Sequence, residues 1–258
     1  MSLPTPGTNR LQVLRAVEDG WQAFCRAPWP FVLFQVLVLT IMTPFLLLIS
    51  KGVLHLALGD APLIHPIATQ IALVVGVVGY VVVALWGLVG FSRGAWISLN
   101  GQKPSFRSFT RWDGDASARL LGSVLLLLIV LAVAGAAALG IGLGLEKIRA
   151  GLLLLPLLAF AIFKIWLMVS QHFLVPMTLF GVQKPVETLQ AGIAGVNPSW
   201  WTVFWFAIVE GVVASVAYLF SAGGLLVLAP VLICISTAAY RQLFGSQDHT
   251  GLLREPQP

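Results

Sequence analysis

Charged side chains are scarce in this sequence. Its 258 residues include 15 Lys and Arg and 10 Asp and Glu, so that 10% are charged whereas 58% are hydrophobic. A water-soluble domain needs more polar surface than this, since roughly a quarter of an ordinary globular chain is charged. The composition excludes a soluble globular protein and predicts that most of the chain lies in lipid.

Cysteines are few and reaction motifs are absent. Cys25 and Cys234 are the two cysteines, which excludes a disulfide framework and a Cys-x-x-Cys site. The sequence has no Gly-rich phosphate loop, no Gly-x-Ser-x-Gly, no His-Glu-x-x-His and no paired Asp pattern of an intramembrane protease. The spacing of His55, Asp60 and His65 is typical of a solvated loop rather than of metal ligands. We therefore expect a protein that is not an enzyme and holds no cofactor or metal.

The alternation of apolar and polar residues that marks a strand is also lacking, and long apolar runs are present instead. A helix needs about 20 apolar residues to cross a bilayer. The runs predict an all-α, polytopic membrane bundle of six transmembrane helices. The predicted spans cover residues 30–50, 67–91, 120–145, 152–179, 199–220 and 225–240.

Small residues and prolines predict how these helices pack. Gly87, Gly90 and Gly94 would let helix backbones approach closely. Four prolines each remove a backbone donor and should kink or end a span: Pro44, Pro156, Pro176 and Pro230.

Basic residues are distributed unequally between the predicted loops. One side of the bundle carries Lys51, Lys147 and Arg149, and the other carries all the remaining Lys and Arg of the loops and tails. This bias predicts that both termini are cytoplasmic, in a bacterial inner membrane or an internal energy-transducing membrane. The basic face would attract anionic lipid headgroups. Nucleic acid is not an expected partner, because the charges are spread over separate loops and partly offset by acidic residues.

Short amphipathic stretches precede three of the spans. They predict interfacial helices on the cytoplasmic surface, and each could begin one of three repeated helix-plus-hairpin units. The corresponding division of the chain is an amphipathic helix at 1–28, the transmembrane bundle at 29–245 and a flexible cytoplasmic tail at 246–258. The residues expected to dock on the membrane surface or on a partner are Arg10, Arg15, Trp21, Lys103, Arg107, Arg111 and Trp112.

Two ionisable residues lie inside predicted spans. Lys164 and Glu210 would each cost about 2.5–3.5 kcal/mol at a helix centre facing lipid, so both should face inward. In one interpretation they form a structural ion pair, or Lys164 extends to the surface while a protonated Glu210 bonds a neighbouring helix. In the other they belong to a polar pathway for a proton or small solute, together with Gln171, His172 and Tyr218.

Several segments resemble a loose group of bacterial integral membrane proteins of unknown function. They are LRAVEDGWQAFCRAPW, GQKPSFRSF, KPVETLQAGIAGVNPSWW and APVLICISTAAYRQLF. The group includes the YciC-like proteins, and similar six-helix units form the membrane domain of some glycerophosphodiester phosphodiesterases. The resemblance implies a six-helix bundle with a cytoplasmic N-terminal helix, and it carries over no catalytic residue.

Three functions are compatible with these features. The leading hypothesis is a non-enzymatic accessory, assembly or scaffold subunit of a membrane complex, or a lipid-organising protein. Its partners would be anionic lipids and other integral membrane proteins. The alternatives are a small transporter or channel-like protein using Lys164 and Glu210, and a membrane-embedded enzyme.

Overall fold

The computed structural model describes residues 11–58, 66–182, 184–219 and 222–254, and within these ranges the regular structure is helical. The first half of the chain forms α1 (Val13–Arg26), α2 (Pro28–Leu58), α3 (Pro66–Leu99), α4 (Phe106–Thr110) and α5 (Gly114–Glu146). The second half forms α6 (Leu154–Ser170), α7 (Leu174–Pro176), a π-helix (Met177–Gly181), α8 (Pro185–Val196), a 3-10 turn (Asn197–Ser199), α9 (Trp200–Leu219) and α10 (Ala222–Phe244).

Five stretches of helix in the described ranges are long and apolar enough to cross a membrane, and a sixth would be a bent pair. The five are Pro28–Leu54, Ile67–Leu99, Gly114–Glu146, Pro185–Val216 and Leu226–Phe244. This confirms the all-helical class and its apolar, membrane-spanning character. Several helices are longer than the spans predicted for them; α3, for example, continues past Arg93 to Leu99. Backbone hydrogen bonds within a helix do not depend on side-chain polarity, so a polar residue does not by itself end one.

The fourth predicted span is broken. Leu154–Ser170 and Leu174–Gly181 are bent by 51° relative to each other. Pro176 supplies the reason, because it has no N–H to donate to the carbonyl of His172 and its ring crowds that carbonyl. His172 therefore lies in a turn rather than in a continuous helix, and a short π-helix follows.

Helix α1 packs against α10 through small residues. Ala16, Gly20 and Ala23 are buried on one side of α1, and a Cβ added to Gly20 would lie 2.5 Å from the Cα of Ile235. Side chains of such small size allow the two backbones to approach this closely. Among the larger apolar residues of α1, Phe24 is buried, whereas Leu14 and Trp21 are exposed. The tight contact with α10 uses the glycine and alanines in their place.

Arg93 anchors the connection between α3 and α5. Its guanidinium donates to the carbonyl oxygens of Ser108 and Arg111, each at 3.0 Å, and lies 3.4 Å from a carboxylate oxygen of Asp113. The same carboxylate caps α5 by accepting from the backbone N–H of Ala116. The Arg93 side chain is only 2% exposed, so these contacts take the place of hydrogen bonds that its Nη atoms would make to water.

The described part of the C-terminal segment is packed against the bundle, which corrects the prediction of a flexible tail for residues 246–254. The Asp248 carboxylate accepts from three backbone N–H groups, those of Thr250, Gly251 and Leu253. Leu252 is buried, and the N–H of His249 donates to the carbonyl of the π-helix residue Phe180. The polar composition of the segment did not indicate this ordered loop. The order comes from one Asp side chain that accepts hydrogen bonds from backbone N–H groups of its own loop.

Candidate functional site

The basic ends of several helices meet on one face of the bundle. Arg26, the last residue of α1, donates to the carbonyl of Ser98 near the end of α3, and the hydroxyl of Ser98 donates to the carbonyl of Ala23. Arg111 donates to the carbonyls of Leu252 and Arg254. These contacts bring α1, α3, the α4–α5 connection and the C-terminal segment together. We call this end of the bundle the basic face.

A cleft of about 320 Å³ opens on the basic face between α1, α3 and α10. Its wall is formed by Asp19, Gln22, Arg26, Leu99, Ala238, Arg241, Gln242 and Ser246. Two guanidinium groups against one carboxylate leave the wall with an excess positive charge. Two side-chain amides and a hydroxyl add further hydrogen-bonding groups.

The cleft contains donors that no described residue satisfies. Nη1 of Arg241 and Nε2 of Gln242 are buried and have no hydrogen-bond partner in the part of the chain that the structure describes. The carbonyl oxygen of the Gln242 side chain accepts from the N–H of Gln12, and the Arg241 guanidinium lies 5.1 Å from the centre of the Trp96 ring. Both atoms have almost no accessible surface, so a ligand in the cleft would instead contact the accessible nitrogen atoms of the Arg26 and Arg241 guanidiniums.

The residues predicted to dock at the surface divide into three groups. Arg15, Lys103 and Arg107 are exposed, as are Trp21 and Trp112. Arg111 is instead engaged with the C-terminal carbonyls, which gives it a structural role. Arg10 lies outside the described residues.

Sequence reasoning placed Arg26 and Arg241 on the basic side but missed the cleft between them. Arg26 ends the helix before the first apolar run and Arg241 lies near the end of the last one. In the sequence, the signal that could have identified these two residues was a charge directly at the edge of an apolar run. Their proximity depends on the packing of α1 on α10, which joins residues more than 200 positions apart in the chain, as does the contact between Gln12 and Gln242.

The polar residues predicted inside the bundle do not form the expected pair. Among the described residues, the ion-pair partner of Glu210 is His172, whose Nε2 lies 2.8 Å from Oε2 of the carboxylate. The contact is not aligned as a hydrogen bond, since Nε2 makes none to a described residue. Lys164 is exposed, as is Met168 one turn further on, so this face of α6 points out of the bundle.

The remaining members of that predicted group lie elsewhere. Gln171 is buried and donates from Nε2 to the carbonyl of Leu189 in α8, at 2.8 Å. The side chain of Tyr218 lies outside the described residues. Because α6 is apolar on almost all sides, its sequence left open whether Lys164 pairs with Glu210 or extends to the surface, and in the structure Lys164 is exposed.

Comparisons of this chain with protein-family models, with curated proteins and with solved structures give no match. The resemblance to YciC-like proteins stays a prediction that rests on the segments quoted above.

Proposed function

We propose that this chain is a non-enzymatic, multi-pass membrane protein that binds anionic lipid headgroups on its basic face, and that it acts as a lipid-organising protein or as an accessory subunit of a membrane complex. The cleft between α1, α3 and α10 is the observation that carries the proposal. The guanidinium groups of Arg26 and Arg241 line it, and guanidiniums pair well with the oxygens of a phosphate group.

The position of the cleft favours a lipid over a soluble anion. It is bounded by the last residues of α1, α3 and α10, and the long apolar helix α2 begins two residues after Arg26. Helix ends beside apolar spans lie at headgroup depth. Asp19 in the wall opposes an anion, and the two guanidiniums outweigh it by one charge.

Exposed aromatic residues fit the same proposal. Trp21 and Trp112 are 50% and 53% exposed. Amphipathic tryptophan rings are enriched at the membrane interface. In this proposal α1 and α4 lie along the cytoplasmic surface before the first two of three related hairpins, and α8 leads directly into α9 in the third. The exposed basic residues contact headgroups or a partner membrane protein.

We expect Arg241→Gln to weaken the binding of anionic lipid. A hydrogen bond to a charged group contributes roughly 1.5–3 kcal/mol, which corresponds to about a ten- to hundredfold loss of affinity. The purified protein in a neutral detergent would be titrated with phosphatidylglycerol and with phosphatidylcholine in the same detergent, and separately with inorganic phosphate. Binding to inorganic phosphate alone would indicate a soluble anion and contradict the lipid proposal.

Arg149→Gln is the matched control for this experiment. Arg149 is exposed beyond the end of α5, on the side opposite the basic face in the predicted topology, and its substitution removes the same charge. We expect its binding of phosphatidylglycerol to stay within about twofold of the unsubstituted protein, because a screened charge this far from the cleft contributes little. An equal loss in both variants would mean that net charge alone drives the interaction.

The proposed topology has six spans, counting the bent pair as one, and both termini in the cytoplasm of a bacterium. Reporter fusions at Asp60 and at Asp113 should therefore report opposite compartments, with Asp113 cytoplasmic. The reason is the concentration of Lys and Arg on the side that holds Asp113. A periplasmic signal at Asp113 would overturn the orientation, and the same signal at both positions would overturn the span count.

Transport of a small solute is a second candidate function. The break in the fourth span and the polar residues beside it favour this possibility, since discontinuous helices line the binding sites of many transporters. A route would depend on His172 and Glu210, because Lys164 is turned outward. Uptake of a labelled solute into proteoliposomes would distinguish transport from headgroup binding.

A further inference from the structure

One side of α6 faces out of the bundle and carries a single charge. The exposed residues on this side are Leu158, Ala161, Lys164, Ile165 and Met168, and we call them the outer face of α6. Lys164 is the only charged residue among the 17 residues of the helix. The outer face is therefore an apolar surface with one ammonium group.

The other sides of α6 are covered by neighbouring helices. Leu167 is buried in an apolar cluster together with Leu127 of α5. The carbonyl oxygen of Trp166 accepts from the indole N–H of Trp200 at the start of α9, at 3.4 Å. These contacts fix the rotation of α6 and turn its outer face away from the described part of the bundle.

Two close contacts fix the register between α6 and α5. A Cβ added to Gly142 would lie 2.6 Å from Cδ1 of Leu153, and one added to Gly135 would lie 3.1 Å from Cζ of Phe160. From the first contact to the second, the chain moves back seven residues in α5 and forward seven residues in α6. The two helices are thus antiparallel and in register over this length.

The register places Lys164 near the middle of the membrane. Four residues past the contact of Phe160, Lys164 is level with Leu131, close to the middle of the α5 span Gly114–Glu146. The hydrocarbon core is about 30 Å thick, so each headgroup layer is about 15 Å away, whereas a lysine stem covers roughly one helical turn of about 5.4 Å. The ammonium of Lys164 therefore does not reach the headgroups.

Lys164 has no counter-ion within the described ranges. The ion pairs there join Arg93 with Asp113, His172 with Glu210 and Lys184 with Glu187. A charged side chain at this depth is costly in lipid, and such residues are usually paired or face a polar cavity. A carboxylate on a second molecule would give Lys164 the partner that the described bundle does not supply.

Neither a second copy of this chain nor an anionic lipid offers that carboxylate at the right depth. Within the described spans, Asp115, Glu146 and Glu187 lie near helix ends, and only Glu210 lies near a centre. Glu210 is paired with His172, and its side chain is 14% exposed. The phosphate of a lipid stays at headgroup depth. The matching group therefore belongs to a different membrane protein.

We propose that the outer face of α6 binds a transmembrane helix of another membrane protein, and that an Asp or Glu near the middle of that helix pairs with Lys164. The apolar residues around Lys164 pack against the partner helix and keep lipid away from the ion pair. This proposal rests on the accessory-subunit form of the proposed function. It does not depend on the binding of headgroups at the basic face.

The test uses two synthetic transmembrane peptides in phosphatidylcholine vesicles that contain the full chain. Each peptide is a Leu/Ala helix of about 20 residues with one polar residue at its centre, Glu in the first and Gln in the second. Energy transfer from a donor on the chain to an acceptor on the peptide measures their association. We expect the Glu peptide to associate about tenfold more strongly, because its pair with Lys164 is charge-assisted. Equal association of both peptides, or of neither, would overturn the proposal.

Lys164→Met removes the ammonium and should abolish the preference for the Glu peptide. Methionine suits a lipid-facing position, so we expect this variant to fold. Lys147→Met is the matched control: Lys147 is exposed at the end of α5, outside the middle of the membrane, and its loss should leave the preference unchanged. Equal loss in both variants would mean that net charge alone attracts the peptide, and it would overturn the assignment.

Exchange of the two charges gives an independent check. Lys164→Glu, once shown to be folded, should associate with a peptide that carries a central Lys, whereas the unsubstituted protein should not. No association in the folded variant would contradict the proposal. Energy transfer between two labelled copies of the chain that is lost in Lys164→Met would mean that the outer face binds a second copy, and it would overturn the choice of partner.

The outer face and the cleft are separable by experiment. Lys164→Met should leave the binding of phosphatidylglycerol in detergent unchanged, and Arg241→Gln should leave the preference for the Glu peptide unchanged, because the two surfaces share no residue. Failure of one proposal therefore leaves the other standing.

Discussion

Arg93→Met should lower the free energy of unfolding by roughly 3–5 kcal/mol, the loss found when one partner of a buried ion pair is removed. The substitution leaves the carbonyls of Ser108 and Arg111 and the carboxylate of Asp113 without their donor. Methionine keeps much of the volume, so the effect reports lost polar contacts rather than a cavity. Thermal unfolding in mild detergent would measure it, and proteolysis of the α4–α5 connection should become faster.

Arg107→Met provides the control for the Arg93 experiment. Arg107 lies on α4 with an exposed side chain, so its removal should change the free energy of unfolding by about 0.5 kcal/mol or less. A similar small effect for Arg93→Met would mean that the connection is held by the packing of Phe109 against Gly90 and Gly94 instead.

Gly20→Ala should destabilise the contact between α1 and α10. The added Cβ would lie 2.5 Å from the Cα and 2.6 Å from the backbone nitrogen of Ile235, and backbone atoms cannot move aside as a flexible side chain could. Overpacking of this kind costs typically 1–3 kcal/mol, against a gain of up to about 1 kcal/mol from the better helix propensity of alanine. Unfolding would measure the net loss, and trypsin should cleave α1 at Arg15 more rapidly.

Gly211→Ala is the matched control for Gly20→Ala. Gly211 lies in α9, and a Cβ there would meet no atom within 4 Å. The propensity gain is then unopposed, so this variant should be as stable as the unsubstituted protein or slightly more stable. Equal behaviour of the two variants would mean that α1 is not held tightly on α10, and the cleft that depends on this packing would lose its support.

The contrast between Pro176 and Glu210 indicates which features were accessible from the sequence. A kink or helix end was predicted alike for Pro44, Pro156, Pro176 and Pro230. The fourth span breaks before Pro176, whereas α2 and α10 continue through Pro44 and Pro230. The partner of Glu210 depends on the rotation of α6 and on where the break places His172. A helix that is apolar all round carries no periodic signal for that rotation, so the sequence left the pair with Lys164 and an outward Lys164 as alternatives.

The basic face shows that the sequence also does not locate a binding site formed by distant segments. That Lys and Arg gather on one side could be read from the loops, but the cleft could not, because Arg26, Arg241 and Gln242 meet only through the small-residue contact of α1 with α10. The docking residues predicted from exposed amphipathic patterns include Arg111, which is engaged in holding the C-terminal carbonyls.

By itself, the amino-acid sequence determined the helical class and the apolar, membrane-spanning character of this protein, because both follow from the length and hydropathy of contiguous runs. It also marked Pro176 as one of four predicted kinks, and the structure has the break there. Tertiary structure decided which polar groups face one another: His172 with Glu210, Arg93 with the α4–α5 connection, and Asp248 with the amides of its own loop. These pairings depend on helix rotation and close packing between distant segments, and a pattern along one segment cannot specify them.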